Sequence, residues 1–318
     1  MRRVLMVRTH DEPAQAVEVR DVPDPTPRAG EALVRVVARP INPADALLLT
    51  GRHFFVPELP APVGIEGSGI VESGVRLLPG TRVAIPYGGT WTERMTIAEE
   101  DLVPLPDEIS FEQGAMLCVN PFTAVGLLEG LEAGDWVLLN AANAAVARLT
   151  IALAALRSIR VAAIVRRSEV IPELVALGAE VVVPDSMGVA EEIREATGGG
   201  VTRALDAVAG AMTSTMHRCT REGGAVWVYG LLSSDRAELP ASDLVFRDVE
   251  VRGFSRLRVW RTMSESRRID ARDEILRLVA RNPAFQTRVD STFPLDDVAV
   301  ALREHEVPRT GKILLVTI

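Results

Sequence analysis

The sequence predicts an α/β fold: a doubly wound parallel sheet set between two stretches of an irregular β domain. Two observations predict it. From Trp136 onward, short apolar strands alternate with helical segments at spacings of roughly 20 to 25 residues, and parallel strands need such crossover helices. On either side of that stretch the chain is β-rich and, before it, broken repeatedly by glycine and proline.

Taken in order, residues 4–7 read as a first strand and 32–38 as another, ended by Pro40-Ile41-Asn42-Pro43. Short strands follow at 63–75 and 82–86. The pattern turns helical at 113–119 and 122–131. Strands are then predicted at 136–139, 161–165, 181–183, 205–208, 225–229 and 249–253, with helices at 144–156, 170–177, 188–196 and 214–221 between them. The tail adds a helix at 271–280, a strand at 287–293, a helix at 295–304 and a closing strand at 313–316. The expected division is 120–256 for the parallel-sheet domain, and 1–119 with 257–318 for the other.

Composition narrows the function. A chain of 318 residues is long enough for two domains. Its 47% apolar and 25% charged residues are ordinary for a globular protein. A net charge of −8 argues against a general nucleic-acid binder, although a local basic cluster can still meet an anion. No window reaches about 18 consecutive apolar residues, so no membrane span is expected. The apolar run at 4–7 is too short for a signal-peptide core and meets His10-Asp11-Glu12 at once. Two cysteines, Cys118 and Cys219, exclude a disulfide framework and a four-cysteine zinc site. Reduced thiols in a cytoplasmic protein are the expectation.

The turn after the first parallel strand, residues 140–147, reads Asn-Ala-Ala-Asn-Ala-Ala-Val-Ala. In a dinucleotide fold the pyrophosphate sits there, against the free N–H groups of a helix N-terminus. Glycine normally provides the tight turn; here every candidate (Asn143, Ala144, Ala145, Val146) lacks that freedom. An alanine in the left-handed region costs about 1–2 kcal/mol, and Asn143 tolerates it better. A generic strand–helix joint is the alternative for this segment alone. The second strand ends in Arg166, Arg167 and Ser168, where an acidic residue would favour NAD and arginine suits a 2′-phosphate. NADPH is therefore the expected cofactor.

Several blocks in order resemble the medium-chain dehydrogenase/reductase superfamily. They are Asn42-Pro43-Ala44-Asp45, Gly64-Ile65-Glu66-Gly67, Asn120-Pro121-Phe122-Thr123-Ala124, the turn at 140–147, Tyr229-Gly230, Arg252-Gly253-Phe254 and Gly311-Lys312-Ile313. The branch they resemble most is the zinc-free trans-2-enoyl thioester reductases, then quinone oxidoreductase. The resemblance implies a Rossmann-type domain inserted in a GroES-like catalytic domain. It implies cofactor contacts at Asn42, Asn120, Thr123, Asn143 to Val146, Arg166 to Ser168, Tyr229, Gly230 and Lys312, and the block at 254–257. It also implies a homodimer through edge strands of the cofactor domain.

Zinc-dependent members carry an early cysteine and a Gly-His-Glu motif; the matching segments here have neither thiol nor imidazole. Enoyl reductases of the family use a tyrosine as proton donor in the segment that here contains His53. A histidine can donate a proton near neutral pH, so His53 is the candidate acid, with a non-catalytic loop histidine as the alternative. His10, His217 and His305 read as surface or structural. Pocket size is expected to depend on the loops around Phe54, Val56 and Trp260, whose positions the sequence does not fix; Trp260 is a candidate pocket wall, with a core or interface role as the alternative. Three activities stay open: reduction of an enoyl thioester or enone, quinone reduction, and cofactor binding without catalysis.

Overall fold

A computed structural model describes residues 1–55 and 57–317; Val56 lies outside the described residues, as does Ile318. The chain divides into two units, Pro121–Asp273 and Met1–Asn120 with Glu274–Ile318. The second crossing thus comes at 273/274, later than the expected 256/257. Within the middle unit, Arg267 pairs with Glu129 at 2.8 Å and Trp260 packs edge-on against Phe122 at 4.6 Å, which keeps the extra residues there.

The middle unit is built on six parallel strands: β1 (Trp136–Leu139), β2 (Arg160–Val165), β3 (Val181–Pro184), β4 (Val201–Asp206), β5 (Thr220–Val228) and β6 (Glu250–Gly253). Their spatial order is β3-β2-β1-β4-β5-β6. Strand order reverses beside β1, which makes the carboxyl edge there the place where such sheets bind ligands. The helices, in chain order, are α1 (Asn120–Leu127), α2 (Ala145–Leu156), α3 (Ile171–Leu177), α4 (Val189–Thr197), α5 (Ala211–Cys219), α6 (Ala241–Phe246), α7 (Arg256–Thr262) and α8 (Glu265–Arg281). All four residues of β1 are buried, as expected for a strand covered by helices on both faces. Trp136, Leu138, Ile164, Ala204 and Val226 share one core cluster.

β4 stops at Asp206, two residues short of its predicted end. The Asp206 carboxylate accepts the N–H groups of Val208 and Ala209, both at 2.9 Å, and so turns the chain out of the sheet. β5 begins earlier than its apolar run: Thr220 already pairs with Val201 ahead of a bulge. Helices α6 and α7 were not predicted, since neither buries a residue fully.

In the other unit, Glu31–Pro40 is the central strand. Lys312–Val316 and Gly67–Ser73 flank it antiparallel, and Arg94–Ala98 also pairs with it. A three-stranded sheet joins Val17–Asp21, Arg2–Met6 and Ala61–Pro62. Val4, Met6, Ile41, Leu49, Trp91, Ile313 and Leu315 pack into one core. The Trp91 indole donates to the carbonyl of Pro40 at 3.2 Å. This fixes the end of the central strand, and the helix Pro43–Leu49 starts three residues on, with Asn42 as N-cap.

Candidate active site

At the carboxyl edge of the parallel sheet, β1 delivers the chain into the 140–147 turn. The residue in the left-handed region is Ala141, at φ 44°, and not Asn143. The turn closes with the Ala144 N–H donating to Ala141 O at 2.8 Å. Ala144 is the N-cap of α2, and no side chain caps that end. The first-turn N–H groups of a twelve-residue helix, with no acidic residue among them, are left for an incoming anion. Asn143, Ala144, Ala145 and Val146 all line this partly exposed corner.

At the neighbouring strand end, Arg166, Arg167 and Ser168 are exposed. Neither arginine has a carboxylate in ion-pair distance among the described residues. Beyond the switch point, a buried network ties β1 to β4. Asn140 donates from Nδ2 to Asp206 at 2.6 Å and accepts the Ala207 N–H at 2.8 Å, while Thr213 donates to the other Asp206 oxygen at 2.7 Å. Tyr229 and Gly230 follow β5, and both their N–H groups donate to Asp206 O. A Cβ on Gly230 would come within 2.5 Å of Ala207 O, so only glycine allows this approach. The Tyr229 hydroxyl is buried without a partner, and burial, then the nearby Asp206, pushes its pKa up.

The other unit holds a buried polar cluster. Lys312 Nζ donates to Asn42 Oδ1 at 2.6 Å, and Asn42 Nδ2 donates to Glu66 Oε1 at 3.2 Å. Glu66 Oε2 accepts the N–H groups of Cys118 and Val119 at 3.0 and 2.9 Å. Glu66 therefore fixes the segment that presents Asn120. Asp45 Oδ2 accepts the Asn42 N–H at 2.8 Å, and its Oδ1 is buried without a partner. Burial pushes the Asp45 carboxyl up to about 7 and the Lys312 ammonium down to about 8. Asn120 is buried with its Nδ2 donor unpaired, a group that calls for a ligand acceptor. Thr123 lies one turn along α1, half buried.

A resident zinc ion does not fit this donor set. Its groups are an amide and two carboxylates, already engaged by an ammonium and by backbone amides, with no thiolate or imidazole. Among the described residues no group of three or more His, Cys, Asp or Glu could hold a metal.

His53 sits after the helix Pro43–Leu49, its N–H donating to Leu47 O at 3.0 Å. Its ring lies 4.6 Å from that of Phe54, which is 91% exposed. Nδ1 accepts the Phe55 N–H at 3.2 Å. The neutral ring therefore carries its proton on Nε2, as an available donor. Of the other histidines, His10 accepts the Glu12 N–H and His217 is fully buried.

The structure thus joins Asn42 directly to Lys312, and gathers 143–146, 166–168, 229 and 230 along one sheet edge. Glu66, Asp45, Asn140 and Asp206 were not singled out as site residues. The only sequence signal for Asp206 is an acidic residue inside an otherwise apolar strand.

Comparison with known proteins agrees with this architecture. Residues 28–107 match the family model described as alcohol dehydrogenase GroES-like domain, and residues 145–269 that described as zinc-binding dehydrogenase. The mitochondrial enoyl-[acyl-carrier-protein] reductase of Xenopus tropicalis is 30% identical over 333 residues, covering 96% of this chain and 92% of the relative. The human protein of that name is 33% identical over 273 residues, covering 79% and 72%. Among solved structures, a Bacillus thuringiensis protein described as an NADPH:quinone reductase superposes with a TM-score of 0.90 at 29% identity, covering 100% of this chain and 99% of the other. A mycobacterial protein complexed with NADPH gives 0.88 at 25% identity, with both chains fully covered.

Proposed function

The chain belongs to the medium-chain dehydrogenase/reductase superfamily and is an oxidoreductase; from that premise we propose that it uses NADPH to reduce an activated carbon–carbon double bond in a 2-enoyl thioester or enone-like substrate. The uncapped N-terminus of α2, next to the unpaired Arg166 and Arg167, supports the cofactor reading. The helix end meets the pyrophosphate, and the arginines with Ser168 meet a 2′-phosphate. Asn120, with its unpaired amide, and Lys312 are candidate cofactor contacts by their positions in the family's motifs.

Bound NADPH supplies a hydride to the β-carbon. Negative charge then develops on the substrate carbonyl oxygen, and the α-carbon needs a proton. His53 would supply it from Nε2 as an imidazolium; Nδ1 is protonated in that form, so its bond with the Phe55 N–H belongs to the neutral ring and would open before proton donation. One C–H bond forms at each carbon, the double bond becomes single, and solvent restores the imidazole proton.

Quinone reduction is the second reading. The histidine in place of the family tyrosine favours it, because a quinone oxygen is protonated readily by solvent. NADPH titration followed by turnover with crotonyl-CoA and with a benzoquinone separates the two. His53→Phe should lower enoyl turnover at least tenfold with NADPH affinity nearly unchanged. Wild-type kinetics in that variant would remove His53 from the mechanism, and NADPH binding with turnover of neither substrate would point to a non-catalytic protein.

A further inference from the structure

In the amino half of the parallel sheet, one row of side chains is charged at both ends and small in the middle. Arg203 on β4 pairs across the ladder with Ala225 on β5, and Ala225 with Glu250 on β6. Residues opposite one another in neighbouring parallel strands point to the same face, so the Ala225 methyl leaves a gap between a guanidinium and a carboxylate. The gap belongs to a cavity of about 440 Å³, whose walls include Leu244 and Asp248. Arg203 stands three residues before Asp206, the last residue of β4. That is roughly 10 Å down the strand from the edge that carries the 140–147 turn, so this cavity is separate from the cofactor corner.

Arg203 is set up to meet an anion. Its Nη1 donates to the carbonyls of Leu127 and Glu129, both at 2.9 Å, at the end of α1. Its guanidinium lies over the Trp227 ring, 3.7 Å from the centre, and these contacts hold it in place. Nε and Nη2 make no hydrogen bond, and no carboxylate stands in ion-pair distance, among the described residues. Those two donors form the edge of the guanidinium that grips a carboxylate or phosphate through two parallel bonds. Burial, then the Arg252 guanidinium 4.1 Å from the same ring, pushes the Arg203 pKa down to about 10. A positive charge withdrawn from water with no counter-ion favours binding one. On the far side of the gap, Glu250 is exposed, and its one ion-pair contact among the described residues is a long one, Arg252 at 4.0 Å. Asp248 puts a second carboxylate on that rim. Two carboxylates repel a phosphate dianion and attract an ammonium.

We propose that this cavity binds a small zwitterion, a carboxylate with an ammonium group a few carbons away, seated with its carboxylate on the free edge of Arg203 and its ammonium towards Glu250 and Asp248. The backbones of β4 and β6 are two strand spacings apart here, roughly 10 Å. That span, with Ala225 as its floor, accommodates a short amino acid between the two charged side chains. Leu244 is the apolar wall for the carbons that separate the ligand's charges. The site needs neither the cofactor nor the reaction, so it stands apart from the enoyl and quinone readings.

The test titrates the full chain with 4-aminobutyrate, butyrate, n-butylamine and inorganic phosphate, and reads binding by ligand-observed NMR. Wild type should bind 4-aminobutyrate with a Kd of about 5 mM or lower, and butyrate, butylamine and phosphate at least fivefold more weakly. Arg203→Lys keeps the charge and loses the two-donor edge, so 4-aminobutyrate should weaken at least fivefold. Glu250→Gln should bring 4-aminobutyrate down to within twofold of butyrate. Ala225→Leu fills the floor without touching the bonds of Arg203 and should abolish binding; it serves as the second variant if Arg203→Lys melts early. Saturating NADPH should leave the 4-aminobutyrate affinity within twofold, and displacement by NADPH would put the probe in the cofactor site and overturn the proposal. Absence of saturable 4-aminobutyrate binding to wild type, or binding that neither Arg203→Lys nor Ala225→Leu alters, would overturn it as well. Phosphate binding more tightly than 4-aminobutyrate would replace the zwitterion site with a phosphate site.

Discussion

Lys312 is the only lysine in the sequence, which makes its ionisation directly observable. Burial lowers its pKa from 10.5 to about 8, with Glu66 and then Asp45 opposing the fall. At about 1.4 kcal/mol per pH unit, holding the charged amine in the fold costs about 3 kcal/mol. The folded state binds its proton more weakly than the unfolded state does. Below pH 8 the amine is charged in both states and the full penalty applies. From pH 8 to 10.5 the folded amine loses its proton first, so this group's contribution to stability rises through that window. Cys219, whose thiol burial pushes up to about 12, acts in the opposite direction above pH 9, so global stability records a difference. Lysine-selective ¹³Cε labelling avoids this, because it yields one signal whose shift follows the ammonium. The midpoint should fall near 8. Glu66→Gln removes the largest opposing charge. The path from Nζ through the Asn42 amide to Glu66 has legs of 2.6 and 3.2 Å, so the charges lie within about 8 Å. At an effective dielectric constant near 20 their attraction is about 2 kcal/mol. The midpoint in Glu66→Gln should therefore drop by at least one pH unit. A wild-type midpoint near 10.5, or one that ignores Glu66→Gln, would falsify the buried cluster as described.

Three further outcomes are expected. Ala141→Gly relieves a left-handed alanine and should stabilise the protein by about 0.5–1 kcal/mol in urea titration, after the extra chain entropy of glycine is set against the strain. An unchanged or lower midpoint would mean that Ala141 is not strained. Asp206→Ala leaves the Val208 and Ala209 N–H groups, Asn140 Nδ2 and the Thr213 hydroxyl without their acceptor, so a loss of about 3–5 kcal/mol is expected by the same assay. Arg166→Ala/Arg167→Ala should weaken NADPH at least tenfold and NADH less than twofold, by fluorescence titration; equal losses would detach both arginines from the 2′-phosphate.

The parallel sheet was legible because its strands are continuous Val, Leu, Ile and Ala runs and its helices recur between them. The elements that escaped are those whose stability comes from elsewhere in the chain. The helix Pro43–Leu49 follows Pro40 and opens on a second proline, so it reads as a break, yet it buries Leu49 in a core shared with Leu315. Helix α7 carries three arginines in seven residues and is held by Trp260 and Phe254. The cofactor corner could be read from position along the chain, as strand, turn and helix. The polar cluster could not: Lys312 and Asn42 stand 270 positions apart, and only the antiparallel pairing of Lys312–Val316 with Glu31–Pro40 brings them together.

That pairing also bears on why a lysine survives at 312 in a chain that otherwise uses arginine for every basic position. Asp45 and Glu66 are buried almost completely, and buried carboxylates need a positive neighbour. Zinc-dependent members of the superfamily have a metal ion to supply positive charge; here the ammonium of Lys312 provides it, through Asn42. A guanidinium would be a poor substitute. It is planar and five-donor, it stays charged, and the cluster offers Nζ one short bond within a tightly filled space. A primary amine fits that space and can give up its proton. Lys312→Arg should therefore fail where a surface exchange would be harmless: the larger cation must displace Asn42 or Glu66, and with Glu66 the backbone of 118–120. The expected result is loss of NADPH affinity together with a lower unfolding midpoint, whereas Lys312→Met should retain the backbone placement and lose mainly affinity. If Lys312→Arg binds NADPH as wild type does, charge alone decides this position and the shape of the amine is irrelevant.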